Sequence, residues 1–121
     1  MAPPAPSGFD PQRPAQLCAD LGDEGVLAII EDFLQDLPQR AVEMETLAAG
    51  GQFEELARLA HSLQGIGRSL GLEGFSAELR LLEQAAIAGD TAAVAPLLRS
   101  LPGGVEKSIA AIREWLAARR P

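Results

Sequence analysis

Between Gly22-Asp23 and Gly50-Gly51, the apolar residues Val26, Ile30, Phe33, Leu37, Ala41 and Met44 fall at steps of three and four. That spacing keeps them on one face of an α-helix, which turns by about 100° per residue. Pro38 lies inside the stretch without breaking its phase. It predicts a bend, because proline removes one backbone hydrogen bond and crowds the preceding turn. Upstream, Asp10-Pro11 reads as an N-cap followed by proline at the first helical position, opening a short helix that runs to about Leu21. Residues 1–9 hold three prolines, a glycine and a serine with little periodicity and are expected to form a mobile tail.

A second long segment spans Gln52 to Leu70 and ends at Gly71. A third begins near Glu73, carries Phe75, Leu79, Leu82 and Ala86 on one face, and closes at Gly89-Asp90. From Thr91 onward, Val94, Leu98, Leu101, Val105, Ile109, Ile112 and Leu116 keep one helical phase through Pro102-Gly103-Gly104. An interior proline costs a helix about 3 kcal/mol and a glycine about 1 kcal/mol. The retained phase favours one kinked helix, with a true break at 102–104 as the alternative. Four long amphipathic segments with short links predict an all-α fold, an antiparallel four-helix bundle with a short extra N-terminal helix. A single domain over residues 10–119 is expected and, because the four stripes can bury one another, a monomer.

Composition narrows the class further. The 121 residues include 21 Ala and 18 Leu but only 12 Val, Ile and Thr together, a balance that all but excludes a sheet-centred fold. A net charge of -7 opposes the holding of phosphate backbones or anionic lipid, so neither nucleic acid nor a membrane is an expected partner. No apolar run approaches the roughly 20 residues that span a bilayer, and the opening MAPPAPSG has neither a basic nor an apolar leader region. A cytoplasmic protein is expected. The single cysteine, Cys18, can make neither an internal disulfide nor a Cys-based zinc site and reads as a small helix residue.

The segment Gln52 to Leu70 carries the candidate chemistry. Its large apolar residues Leu56, Leu59, Leu63, Ile66 and Leu70 form one stripe, predicted to face the core. The only histidine, His61, projects about 180° from the centre of that stripe. Beside it on the predicted outer face stand Glu54, Ala57 and Arg58 on one side and Gln64, Gly65 and Arg68 on the other. Gly65 is unusual there. A helical glycine costs about 1 kcal/mol relative to alanine, and no core packing demands it on an exposed face, so close approach by another molecule is one explanation. Gly67 lies nearer the stripe and suits helix packing.

The run Ala60-His61-Ser62-Leu63-Gln64-Gly65-Ile66-Gly67-Arg68-Ser69-Leu70-Gly71 resembles the signature of the histidine-containing phosphotransfer (HPt) domain, His-x-Leu-Lys/Gln-Gly followed after five residues by Gly. The likeness extends over about residues 10–118, through Phe33 to Pro38 and Leu81-Leu82-Glu83. The resemblance implies that His61 is the phosphorylated residue, that Gln64 donates a hydrogen bond to its phosphoryl group, and that Gly65 gives clearance to a docking receiver domain. Ala57, Arg58 and Arg68 are the further candidates for that docking surface. Lysine is commoner at position 64, and a neutral amide donates without offsetting charge. Position 68 is usually small; Arg68 either grips the phosphoryl group or selects the partner, or is an ordinary solvated arginine.

The implied activity is a phosphorelay: His61 takes a phosphoryl group from an aspartate of one receiver domain and passes it to another. Response-regulator receivers and hybrid sensor histidine kinases are the implied partners. A neutral imidazole offers one ring nitrogen with a free lone pair for in-line attack on phosphorus, and the resemblance favours Nε2. The phosphoryl group brings up to about two negative charges, which Gln64 with Arg58 or Arg68 would meet. No carboxylate cluster for magnesium and no nucleotide-binding motif occurs in the sequence around His61. The chain is therefore expected to be a carrier without kinase activity and without a cofactor of its own, with Mg2+ on the partner receiver.

Other readings compete. Gly67-Arg68-Ser69-Leu70-Gly71 matches the hydrolase pattern G-x-S-x-G, but that motif needs a strand-turn-helix elbow in a sheet, and this chain is poor in strand formers. A bundle metal site wants Glu-x-x-His, and position 58 is arginine. The main alternative is a non-catalytic helical interaction module in which His61 is incidental. A nearer variant is a domain charged directly by a kinase, as in chemotaxis kinases; the expectation here is a free-standing shuttle.

Overall fold

A computed structural model describes residues 8–119. They form five helices: α1 (Gln12–Leu21), α2 (Asp23–Ala49), α3 (Phe53–Ser69), α4 (Glu73–Ile87) and α5 (Thr91–Arg119). The helices α2 to α5 pack as a ring in which each contacts its two neighbours, and α1 lies against α2 and α3. Links of three residues between the long helices force an up-down order, so adjacent helices run antiparallel. This is the all-α bundle with a short N-terminal helix that the periodicity predicts.

The stripe expected on α2 is buried without exception, from Val26 to Met44, and the helix runs unbroken through Pro38. On α4 all four expected core residues are buried. The question at 102–104 resolves as one helix: α5 is continuous through Pro96 and Pro102. Val94, Leu101, Val105 and Ile112 face the core and Leu98, Ile109 and Leu116 pack half-buried at its edge. Cys18 is buried in the same core, against which α1 packs.

The expected tail is corrected at its inner end. Residues 1–7 lie outside the described residues, but Gly8 and Phe9 are docked on the bundle. Phe9 forms an antiparallel bridge with Leu72, the Gly8 carbonyl accepts hydrogen bonds from the N–H groups of Glu73 and Gly74, and the Asp10 N–H donates to the Gly71 carbonyl at 2.8 Å. The Asp10 carboxylate also accepts from the Gln12 N–H at 3.0 Å, capping α1. This strap explains the glycine that ends the signature run. Gly71 sits at φ +81°, and a Cβ there would lie 2.1 Å from the Asp10 carbonyl oxygen. Only glycine lets the two backbones meet.

Candidate functional site

The stripe of α3 is rotated from its expected position. Leu56, Leu63 and Leu70 are buried as predicted, but Leu59 is half-buried and Ile66 is 42% exposed. In their place Ala57, Ala60, Gln64 and Gly67 are buried. The buried face is therefore turned by roughly 65° toward His61 relative to the stripe of large residues. The cause is the close approach of α4, which needs small side chains beneath it. A Cβ on Gly67 would come within 2.8 Å of the Ser76 hydroxyl oxygen, so that glycine serves helix packing.

Two expected outer-face residues change place accordingly. Ala57, expected as part of the docking surface, is only 7% exposed and forms the floor of an open groove between α3 and α4. Gln64, expected beside His61 on the outer face, is 5% exposed. Arg58, Gly65 and Arg68 are exposed as expected. Arg58 pairs with Glu54 at 3.3 Å across one turn, with both side chains largely in solvent. The Arg68 side chain has no ion pair among the described residues, and its carbonyl accepts a hydrogen bond from Arg13 Nε at 3.3 Å. A Cβ on Gly65 would meet nothing within 4 Å, so no packing within the chain explains that glycine.

His61 stands at the edge of the rotated stripe, its side chain 68% exposed. Its Nδ1 lies 2.9 Å from Glu83 Oε2. Glu83 is on α4, its side chain 19% exposed, and its other oxygen, Oε1, accepts a hydrogen bond from Gln64 Nε2 at 2.7 Å. The antiparallel register makes this meeting. His61 lies about 12 Å back from the last residue of α3 and Glu83 about 15 Å along α4, at the rise of about 1.5 Å per residue. The two levels nearly coincide. An ionised carboxylate can only accept, so a neutral ring that bonds Glu83 does so through Nδ1–H and keeps its lone pair on Nε2.

Glu83 is thus a residue of the site that periodicity does not single out. The signal existed in the register: a position about as far beyond Gly71 as His61 lies before it faces His61 in a helical hairpin. Ile66, expected in the core stripe, is turned outward by the same rotation. With Ile29, also 42% exposed, it lines a groove between α2 and α3 on the opposite side of the His61 helix, beside Ser62 and Leu59. Among the described residues no three His, Cys, Asp or Glu side chains are grouped to hold a metal ion.

An exposed imidazole held through Nδ1, one turn from an uncrowded glycine, sits within the matched region of a known domain: residues 28–117 match the profile of the Hpt domain. The chain belongs to the Hpt family. Hpt domains are helical bundles that carry histidine phosphotransfer in the phosphorelays of two-component signalling, as carriers and not as kinases. Searches of curated proteins and of solved structures found no significant match. In this Hpt domain, no helix of the described residues is long and apolar enough to cross a membrane.

Proposed function

We propose that this Hpt domain accepts a phosphoryl group on His61 Nε2 from the phospho-aspartate of one receiver domain and returns it to the aspartate of another. The observation that carries the reading is the 2.9 Å contact between His61 Nδ1 and Glu83 Oε2 on a ring otherwise open to solvent. With Nδ1 engaged, the Nε2 lone pair points away from the bundle, where an incoming phosphorus can be reached in line. The new P–N bond forms as the P–O bond to the aspartate breaks, and the carboxylate leaves with its electron pair. The ring, now carrying positive charge, keeps its proton on Nδ1 against the Glu83 carboxylate. Transfer onward is the reverse step at a second aspartate.

In this reading the receiver docks over Gly65, where the helix surface is flat, with Arg58 and Arg68 at either end of the face and Ile66 beside it. Magnesium bound by the receiver's own acidic residues supplies neutralisation of the phosphoryl oxygens. The chain itself supplies the nucleophile and its orientation. The test is a round trip. A phosphorylated receiver domain is mixed with the protein, removed, and replaced by a second, unphosphorylated receiver. Phosphate arriving on the second receiver through native protein, and none through His61→Gln, is the expected result; transfer that survives His61→Gln contradicts the reading.

A further inference from the structure

Gln64 lies one turn beyond His61 on α3, the position from which the resemblance implies a hydrogen bond to the phosphoryl group. The geometry gives its amide another task. Its Nε2 donates to Glu83 Oε1 at 2.7 Å while His61 Nδ1 takes Oε2 at 2.9 Å, so the two α3 residues hold the two oxygens of one α4 carboxylate. The two side chains differ sharply in exposure, 68% for His61 and 5% for Gln64. To reach a phosphoryl group on the outward Nε2, the Gln64 amide would have to leave a buried acceptor and expose itself. Such a move strands one carboxylate oxygen in a largely buried position.

We propose that Gln64 is a positioning residue that acts on His61 through Glu83, and not a donor to the transferred phosphoryl group. This deepens the phosphotransfer reading and rests on it for the biological reaction, whereas the proton arrangement precedes the arrival of any phosphoryl group. A glutamate side chain has three rotatable bonds. With one oxygen tied to Gln64, the other is aimed at Nδ1, which keeps the ring proton there and the lone pair on Nε2. The neutrality of the amide matters as well. Gln64 orients Glu83 without cancelling its charge, so the full negative charge faces the ring as the ring becomes positive during attack. An ammonium at position 64 would offset it.

A double-mutant cycle with a small-molecule donor tests the assignment, because it needs no receiver. Phosphoramidate phosphorylates the ring when Nε2 forms the P–N bond and the phosphoramidate P–N bond breaks, with ammonia leaving. His61 is the only histidine, so the rate of appearance of phosphohistidine reports this one site. Gln64→Leu is expected to slow the reaction about tenfold in the native background, by analogy with the loss of a group that orients a metal-bound histidine. In a Glu83→Leu background the same change is expected to alter the rate by less than about twofold. Equal losses in both backgrounds would mean that Gln64 acts on the phosphoryl group directly, and the proposal falls.

A second readout separates orientation from general damage. In 15N-histidine-labelled protein the single imidazole is expected to carry its proton mainly on Nδ1, and Gln64→Leu is expected to move population to Nε2–H. Unchanged tautomers overturn the proposal. Gln64→Met replaces Gln64→Leu if the latter does not fold. A coupled cycle with no receiver able to charge His61 would leave the positioning role standing and remove the carrier reading; receiver transfer with an additive cycle would do the reverse.

Discussion

His61 and Glu83 are joined across the α3–α4 interface by a 2.9 Å contact from Nδ1 to Oε2, and in the proposed transfer this contact leaves Nε2 as the nucleophile. Glu83→Gln keeps an acceptor oxygen in place but removes the charge, and is expected to slow charging of His61 by a receiver about tenfold; Glu83→Ala, which removes the acceptor too, about a hundredfold. Both variants are expected to keep the helical circular dichroism spectrum of the native protein. Native rates in Glu83→Ala would take the carboxylate out of the mechanism.

At Gly65 the proposed docking can be tested apart from stability. An added methyl meets nothing within 4 Å in the folded chain, and alanine favours a helix interior over glycine by up to about 1 kcal/mol. Gly65→Ala is therefore expected to be more resistant to urea than native protein, and Gly65→Leu no less resistant. Receiver-to-His61 transfer is expected to fall as the side chain grows, while phosphorylation by phosphoramidate stays at the native rate. If bulk at position 65 leaves receiver transfer untouched, the docking face lies elsewhere.

Gly71 is a matter of folding. Its φ of +81° costs an L-residue about 1–2 kcal/mol. The alanine Cβ would also meet the Asp10 carbonyl oxygen at 2.1 Å, so the strap through Gly8 to Asp10 must lift. Gly71→Ala is expected to lose more than about 3 kcal/mol in urea denaturation, the backbone strain and the loss of the strap together. A loss below 1 kcal/mol, on the order of an ordinary helix substitution, would show that the strap contributes little.

Glu78 gives the fold a dependence on pH. It lies where α4 meets α5, with Oε2 buried and without a hydrogen-bond partner, beside Gly104, Phe75 and Lys107. Burial pushes its carboxyl above the ordinary value, partly opposed by the positive charge of Lys107. The folded chain thus holds this proton more tightly than the unfolded chain. The stabilisation is fully present below the unfolded value of about 4.3 and is lost as pH rises through the folded value. Glu78→Gln is expected to be more stable than native protein at pH 7, with the difference vanishing as the pH drops below about 4. Urea titrations across that range check it, and parallel curves would contradict it.

The helices and most of the core follow from spacing alone, because α2, α4 and α5 bury large apolar residues whose period marks their inner faces. The error falls on α3, and it has a physical source. Large residues mark the side of a helix that faces open core, whereas the side that touches a close neighbour is lined by Ala57, Ala60 and Gly67, which a search for large apolar residues passes over. The same rotation carried Gln64 inward and Ile66 outward. His61 is legible as an exposed side chain because it lies outside the buried face whether that face is centred on the large residues or on the small ones. Periodicity within one helix shows neither the pairing of Glu83 with His61 nor the docking of Gly8 and Phe9, since both depend on which residues two separate elements bring to one level.

In the proposed reaction His61 alone takes a phosphoryl group from a receiver, on Nε2. The most direct measurement is intact mass at neutral pH, after mixing with prephosphorylated receiver domains, followed by 31P–1H correlation to the ring. The expected result is one acid-labile phosphoryl group per chain, correlated to the ring protons that flank Nε2, and none on His61→Gln. A phosphoryl group on Nδ1, on another residue, or on the His61→Gln chain would contradict it.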